Sequence, residues 1–167
     1  MAYLSRQGEI KDAGSIAEIY NQGISERTAT FETDLKTGSD IEKWFGEGDR
    51  RITVVTEGNG NVLSFATASP YSERSCYSGI SLFSVYVHRN YRGKGIGKLT
   101  MERLILSAAE MGRWKLVSRI FPENYVSRRL MRNMGFREVG IYKNHGRLDG
   151  KWKDVVIVEL LISENID

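Results

Sequence analysis

A chain of 167 residues, 41% of them hydrophobic, is the size of one ordinary domain and can bury most of its apolar surface in a single core. Its 24 Lys and Arg against 21 Asp and Glu leave a net charge of +3, a modest and evenly spread excess that suits a small polyanionic ligand and argues against nucleic acid. The single cysteine, Cys76, excludes an internal disulfide. With no signal-peptide pattern and no long apolar span, the expectation is a cytoplasmic protein with no membrane partner; no metal site is read from the sequence.

In chain order, Tyr3–Gln7 predicts a strand, followed by a helix that carries Ile10, Ala13, Ile16, Ala17, Ile19 and Tyr20 on one face. An irregular stretch, Ile24–Lys36, leads to a short helix with Ile41, Trp44 and Phe45. Arg51–Thr56 and Val62–Ala68 read as two strands joined by a Gly-Asn-Gly-Asn turn, the clearest hairpin signal in the chain. The nearly continuous apolar run from Ile80 to Val87 predicts a strand covered on both faces. Met101, Leu104, Ile105, Ala108 and Met111 recur at helical spacing, and Gly112 ends that helix. Lys115–Phe121 is a fifth strand, residues 125–134 a further helix, and Arg137–Tyr142 and Trp152–Leu161 two final strands. There is no repeat or linker, so residues 1–167 are read as a single domain.

Between the fourth strand and the long helix lies Arg92-Gly93-Lys94-Gly95-Ile96-Gly97-Lys98. Glycines let successive backbone N–H groups converge on one anion, and the positive end of the following helix adds to the attraction. Arg92, Lys94 and Lys98 supply countercharge. A Walker A loop is excluded because Lys98 is followed by Leu99, and the G-x-G-x-G spacing is not the dinucleotide G-x-G-x-x-G.

This loop resembles the R/Q-x-x-G-x-G/A loop of the GNAT acetyltransferases. Asn124, Ser127 and Leu130, then Gly135-Phe136, match that superfamily's N-x-x-S-x-x-L…GF pattern, although Asn124 has a second reading as a helix cap. The resemblance implies an α/β (α+β) GNAT fold: a mixed, mostly antiparallel sheet of about six to seven strands, splayed between strands 4 and 5 and flanked by about four helices. It also implies acetyl-CoA as cosubstrate. The pantetheine arm would bond the backbone of Val85, Tyr86 and Val87. The phosphates would sit on Arg92, Gly93, Lys94, Gly95, Ile96, Gly97 and Lys98, with Asn124 and Ser127 nearby.

Within the superfamily the chain is similar to phosphinothricin and arsinothricin N-acetyltransferases. The segments that carry this are Ile19–Ile24 with Thr28–Thr33, Cys76–Val87, the glycine loop Arg92–Lys98, and His145–Leu160, the last with Gly150, Trp152, Asp154 and Val155 in a G-x-W-x-D-V core. The implied acceptor is the primary amine of a small amino acid or analogue, walled by Phe31, with Arg74 facing its acidic groups and Tyr71 close by; Tyr77 is read as packing. A homodimer follows by family analogy alone.

Two positions depart from the pattern. The usual glutamate base is Leu82, and the usual proton donor after the helix leucine is Met131. Substitute proton carriers are Tyr86, Glu32, His145 and Asp149. The alternatives to an amino-acid acetyltransferase are a CoA-binding regulatory or degenerate domain, and a peptide or protein acetyltransferase.

Overall fold

The protein's structure, a computed structural model, describes residues 2–46 and 50–167. Strand β1 (Tyr3–Gln7) is followed by a single 3₁₀ turn, Ile10–Asp12, and helix α1 (Ala13–Glu26); a short α2 (Gly38–Glu42) comes next. Strands β2 (Ile52–Gly58), β3 (Asn61–Pro70) and β4 (Ile80–Val87) precede helix α3 (Ile96–Glu110). Strand β5 (Lys115–Ile120), helix α4 (Tyr125–Asn133), β6 (Arg137–Leu148) and β7 (Lys151–Leu161) complete the fold. Among the described residues the sheet has seven strands in the order β1-β2-β3-β4-β5-β7-β6, and only the β4–β5 pair is parallel.

Alternation along the central strands decides which helix packs where. Val54 and Ala66 join Met101, Leu104, Ala108 and Met131 in the core beneath α3 and α4. Their neighbours Val55 and Phe65 face the opposite way, onto Ala13, Ile16, Ala17 and Ile19 of α1 and Ile41 of α2. The β2–β3 turn places Asn59 at φ 52° and Gly60 at φ 77°, the two left-handed positions that a tight Asn-Gly hairpin requires.

Three expectations shift. Ile10, expected on the buried helix face, lies in the 3₁₀ turn and is 58% exposed. There Glu9 and Asp12 satisfy each other's backbone N–H groups before the helix proper begins. Met111 stands at the end of α3 and is also exposed, with Gly112 beyond it at φ 77°. Strand β6 does not stop at Tyr142. It passes through an irregularity between Tyr142 and Gly146, with Asn144 at φ 47°, and resumes pairing up to Leu148↔Lys151. The polar Lys143-Asn144-His145-Gly146 run reads as a loop, but it is a bulge inside a hairpin.

Candidate active site

Strands β4 and β5 pair only at Ile80↔Lys115, Ser81↔Leu116 and Leu82↔Val117, then part. On its other edge β4 stays paired to β3, and the His88 N–H donates to the Leu63 carbonyl at 2.8 Å. Alternate residues of an antiparallel strand direct their backbone groups to opposite edges. Those of His88, Tyr86 and Ser84 therefore point to β3, and those of Val87, Val85 and Phe83 into the gap. Two contacts agree with this count: Ser118 Oγ donates to the Phe83 carbonyl at 2.8 Å, and Arg92 Nε to the Val87 carbonyl at 3.2 Å. Main-chain groups of Val85 and the Val87 N–H are left facing a cleft of about 500 Å³. A ligand with amide groups can bond there as a further strand would.

The glycine loop closes one end of this cleft. Gly93 and Gly95 have φ of 75° and 79°, and a Cβ at either would meet nothing within 4 Å, so these glycines are required by backbone conformation and leave the loop's amides uncovered. Gly95 is the N-cap of α3 without any side-chain cap. The first-turn N–H groups of the helix lack an intrahelical partner, and the residues that carry them, Ile96, Gly97 and Lys98, line the cleft together with Gly95. This is a cradle suited to a diphosphate.

The loop's cations are less available than their sequence suggests. Arg92 is held by Glu26, the last residue of α1, through paired hydrogen bonds of 2.9 and 2.7 Å. These bonds keep the Glu26 carboxyl below its usual range, and Glu26 also lines the cleft. Lys94 lies outside the lining, its ammonium 5.3 Å from the Tyr91 ring. Lys98 lines the cleft and sits 3.9 Å from Glu102. Asn124 caps α4, its side chain accepting from the Ser127 N–H at 3.2 Å. Both residues also line the cleft, so capping and ligand contact coexist in one place.

A second cavity, of about 400 Å³, is lined by β4 residues Leu82, Phe83, Ser84 and Tyr86 and by none of the glycine loop. It shares Ala29, Phe83, Ser84, Tyr86, Ser118 and Arg119 with the first, so the two meet where β4 and β5 separate. Phe31, Glu32 and Leu82 line it. Phe31 packs edge-on against Phe121 at 5.0 Å, and its ring fills the space that a Cβ on Gly146 would need. Among the described residues Glu32 is the sole acidic side chain in the lining; its Oε2 is 3.2 Å from Lys36 Nζ. Tyr86 stacks on Phe65 and Tyr20, and burial pushes its phenol well above the usual range, so it stays protonated at neutral pH. Burial raises Tyr20 in the same way.

Sequence reasoning missed the guanidinium groups of this cavity, Arg51 and Arg119. Arg51 stacks on Trp44, 4.6 Å from the ring centroid, and reaches Thr67 Oγ1 at 3.5 Å. The remaining candidates lie outside both linings. Arg74 stacks on Tyr77, which packs edge-on against Tyr71. His145 contacts Tyr142, and Asp149 pairs with Arg27 at 3.0 Å. Met131 is buried and closes the cleft floor.

Comparison with known proteins agrees with this architecture. Residues 16–136 match the model of the acetyltransferase (GNAT) family. The chain is 31% identical to the phosphinothricin N-acetyltransferase of Streptomyces coelicolor, over 92% of this chain and 93% of that protein. It is 29% identical to an L-methionine sulfoximine/L-methionine sulfone acetyltransferase of Salmonella typhimurium, over 92% and 91%. The crystal structure of a GNAT phosphinothricin acetyltransferase from Sinorhizobium meliloti in complex with acetyl-CoA superposes with a TM-score of 0.88 at 27% identity, covering 96% of this chain and 89% of that one. The chain belongs to the acetyltransferase (GNAT) family and is an acetyl-CoA-dependent N-acetyltransferase.

Proposed function

We propose that this enzyme acetylates the primary amine of a small amino acid or amino-acid analogue of the phosphinothricin, methionine sulfoximine or arsinothricin type, by direct transfer. The observation that carries the proposal is the shared wall of the two cavities. Acetyl-CoA supplies an acetyl group activated as a thioester: the amine nitrogen forms the amide bond as the carbon–sulfur bond breaks, and CoA leaves as a thiolate that takes its proton from solvent, since Met131 has none to give. Backbone groups of Val85 and Val87 and the Gly93–Lys98 loop would hold its pantetheine and diphosphate, with Asn124 and Ser127 alongside; the Tyr86 backbone, expected to join them, is turned to β3, where its carbonyl accepts from Ser64 Oγ at 2.9 Å. The second cavity then receives the acceptor at the point where β4 and β5 part. Its size and its mixture of cations, hydroxyls and one carboxylate support a compact zwitterion.

Transfer requires a neutral amine, and Leu82 cannot accept a proton. Glu32 faces the acceptor cavity and is the group we assign to receive the ammonium and, relayed by solvent and the hydroxyls lining that cavity, its proton. Holding the two substrates together supplies much of the remaining acceleration, up to about 7–11 kcal/mol in ideal geometry. Phe31 walls the acceptor. The exposed Val139, Ile141 and Trp152 of the β6–β7 hairpin support a two-fold dimer, and the lack of any helix able to cross a membrane, among the described residues, is consistent with a cytoplasmic location.

The test is thiol release from acetyl-CoA with phosphinothricin, methionine sulfoximine and arsinothricin as acceptors. Turnover on at least one is expected. Tight coenzyme binding with no turnover on any of them, even at alkaline pH, would favour a coenzyme-binding domain without catalytic activity.

A further inference from the structure

We propose that Arg119 anchors the acceptor's α-carboxylate, which makes a free carboxylate next to the amine a determinant of substrate preference. This rests on the acetyl-transfer reading and goes beyond it by stating what the enzyme favours beside the reacting nitrogen. The nitrogen has to reach the place where the two cavities join, and of the side chains common to both, Arg119 alone carries a charge. In an α-amino acid the carboxylate is one carbon from the nitrogen, so the junction has to accommodate it too.

Arg119 is placed for this. It follows Ser118, the residue that bridges to the Phe83 carbonyl, and β5 is still held there by β7 through Arg119↔Ile157, so the guanidinium projects from a fixed strand. None of the described residues hydrogen-bonds or ion-pairs with it. A planar guanidinium binds a carboxylate through two parallel hydrogen bonds. Without a carboxylate on the substrate, an incoming ammonium would be drawn to Glu32 but repelled by the unneutralised Arg119 in the same cavity. A peptide N-terminus presents a neutral carbonyl at the same place and gains no ion pair. The inference therefore also separates free amino acids from peptides as acceptors.

The experiment compares methionine sulfoximine with its α-carboxamide in the wild type, Arg119→Gln and Arg119→Lys, with both substrates' KM values measured. In parallel, calorimetry in the presence of CoA follows binding of the two N-acetylated products. The wild type should prefer the free acid by about 10- to 100-fold, the range of a charge-assisted hydrogen-bonded contact. Arg119→Gln should abolish that preference through the acceptor KM, leaving the acetyl-CoA KM unchanged, and Arg119→Lys should retain part of it. The acetylated acid should bind more tightly than the acetylated amide in the wild type only. Equal use of acid and amide by the wild type, preference retained in Arg119→Gln, or a change confined to the acetyl-CoA KM would each overturn the assignment. If no amine is turned over, the acetyl-transfer reading fails, and the calorimetric comparison still decides whether Arg119 selects the carboxylate.

Discussion

The Ser118 hydroxyl on β5 donates to the Phe83 carbonyl on β4 across 2.8 Å, one residue beyond the last backbone pair of these strands. This side-chain bridge marks where the sheet stops being continuous and the cleft begins. Ser118→Ala removes it and should lower unfolding stability by about 1 kcal/mol, read from the urea midpoint. It should also weaken acetyl-CoA binding, because the two cleft walls lose their tether.

Gly95 provides a sharper test of the loop. At φ 79° a β-branched residue is strained, so Gly95→Val should cost about 1–2 kcal/mol of stability. It should also weaken acetyl-CoA by at least about tenfold, the equivalent of 1.4 kcal/mol in binding. Gly112→Val is the control, since Gly112 has φ 77° and likewise an open Cβ direction, and it is not among the cleft-lining residues. It should show a similar stability loss with coenzyme affinity intact.

The loop and the strand before it were legible because glycine spacing and apolar runs are local signals. So were the Asn59–Gly60 turn and the periodic face of α3. The gap itself was not legible from side chains, because a strand edge presents main-chain groups that every residue type possesses. Arg51 and Arg119 come from β2's entrance and from β5, distant in sequence and without a shared pattern, and only the sheet brings them to one cavity. The family resemblance drew attention instead to Arg74, which the fold places against Tyr77. Glu26 was missed because nothing in the sequence links the end of α1 to Arg92.

Proton handling yields a paired prediction. Glu32→Gln should lower kcat/KM at neutral pH by about 100-fold, the lower end of general acid–base contributions, and the deficit should shrink as pH rises and the free amine becomes abundant. Leu82→Glu introduced into Glu32→Gln should restore activity near neutrality. Full activity of Glu32→Gln at pH 7 would remove Glu32 from the reaction.

Asp12 governs the acid side of stability. Burial works against its charge, but hydrogen bonds from the Arg6 guanidinium, at 2.8 and 3.0 Å, and from the Glu9 N–H outweigh it and hold the carboxyl below its usual range. A depressed carboxyl stabilises the fold fully above the unfolded-state value, about 3.9, and that contribution is lost as pH falls from there through the depressed value. Urea midpoints should therefore decline below about pH 4. Asp12→Asn should be less stable at pH 7 by about 1–3 kcal/mol and should show a flatter acid limb.

A crystal structure with CoA and an N-acetylated amino acid bound together is the most direct measurement of the central claim. It should place the pantetheine along Val85 to Val87, the diphosphate on the amides of Gly93 to Lys98, and the acetamide where the two cavities meet. Coenzyme density outside the β4–β5 gap, or a product lodged away from Ser84, Tyr86 and Arg119, would contradict it.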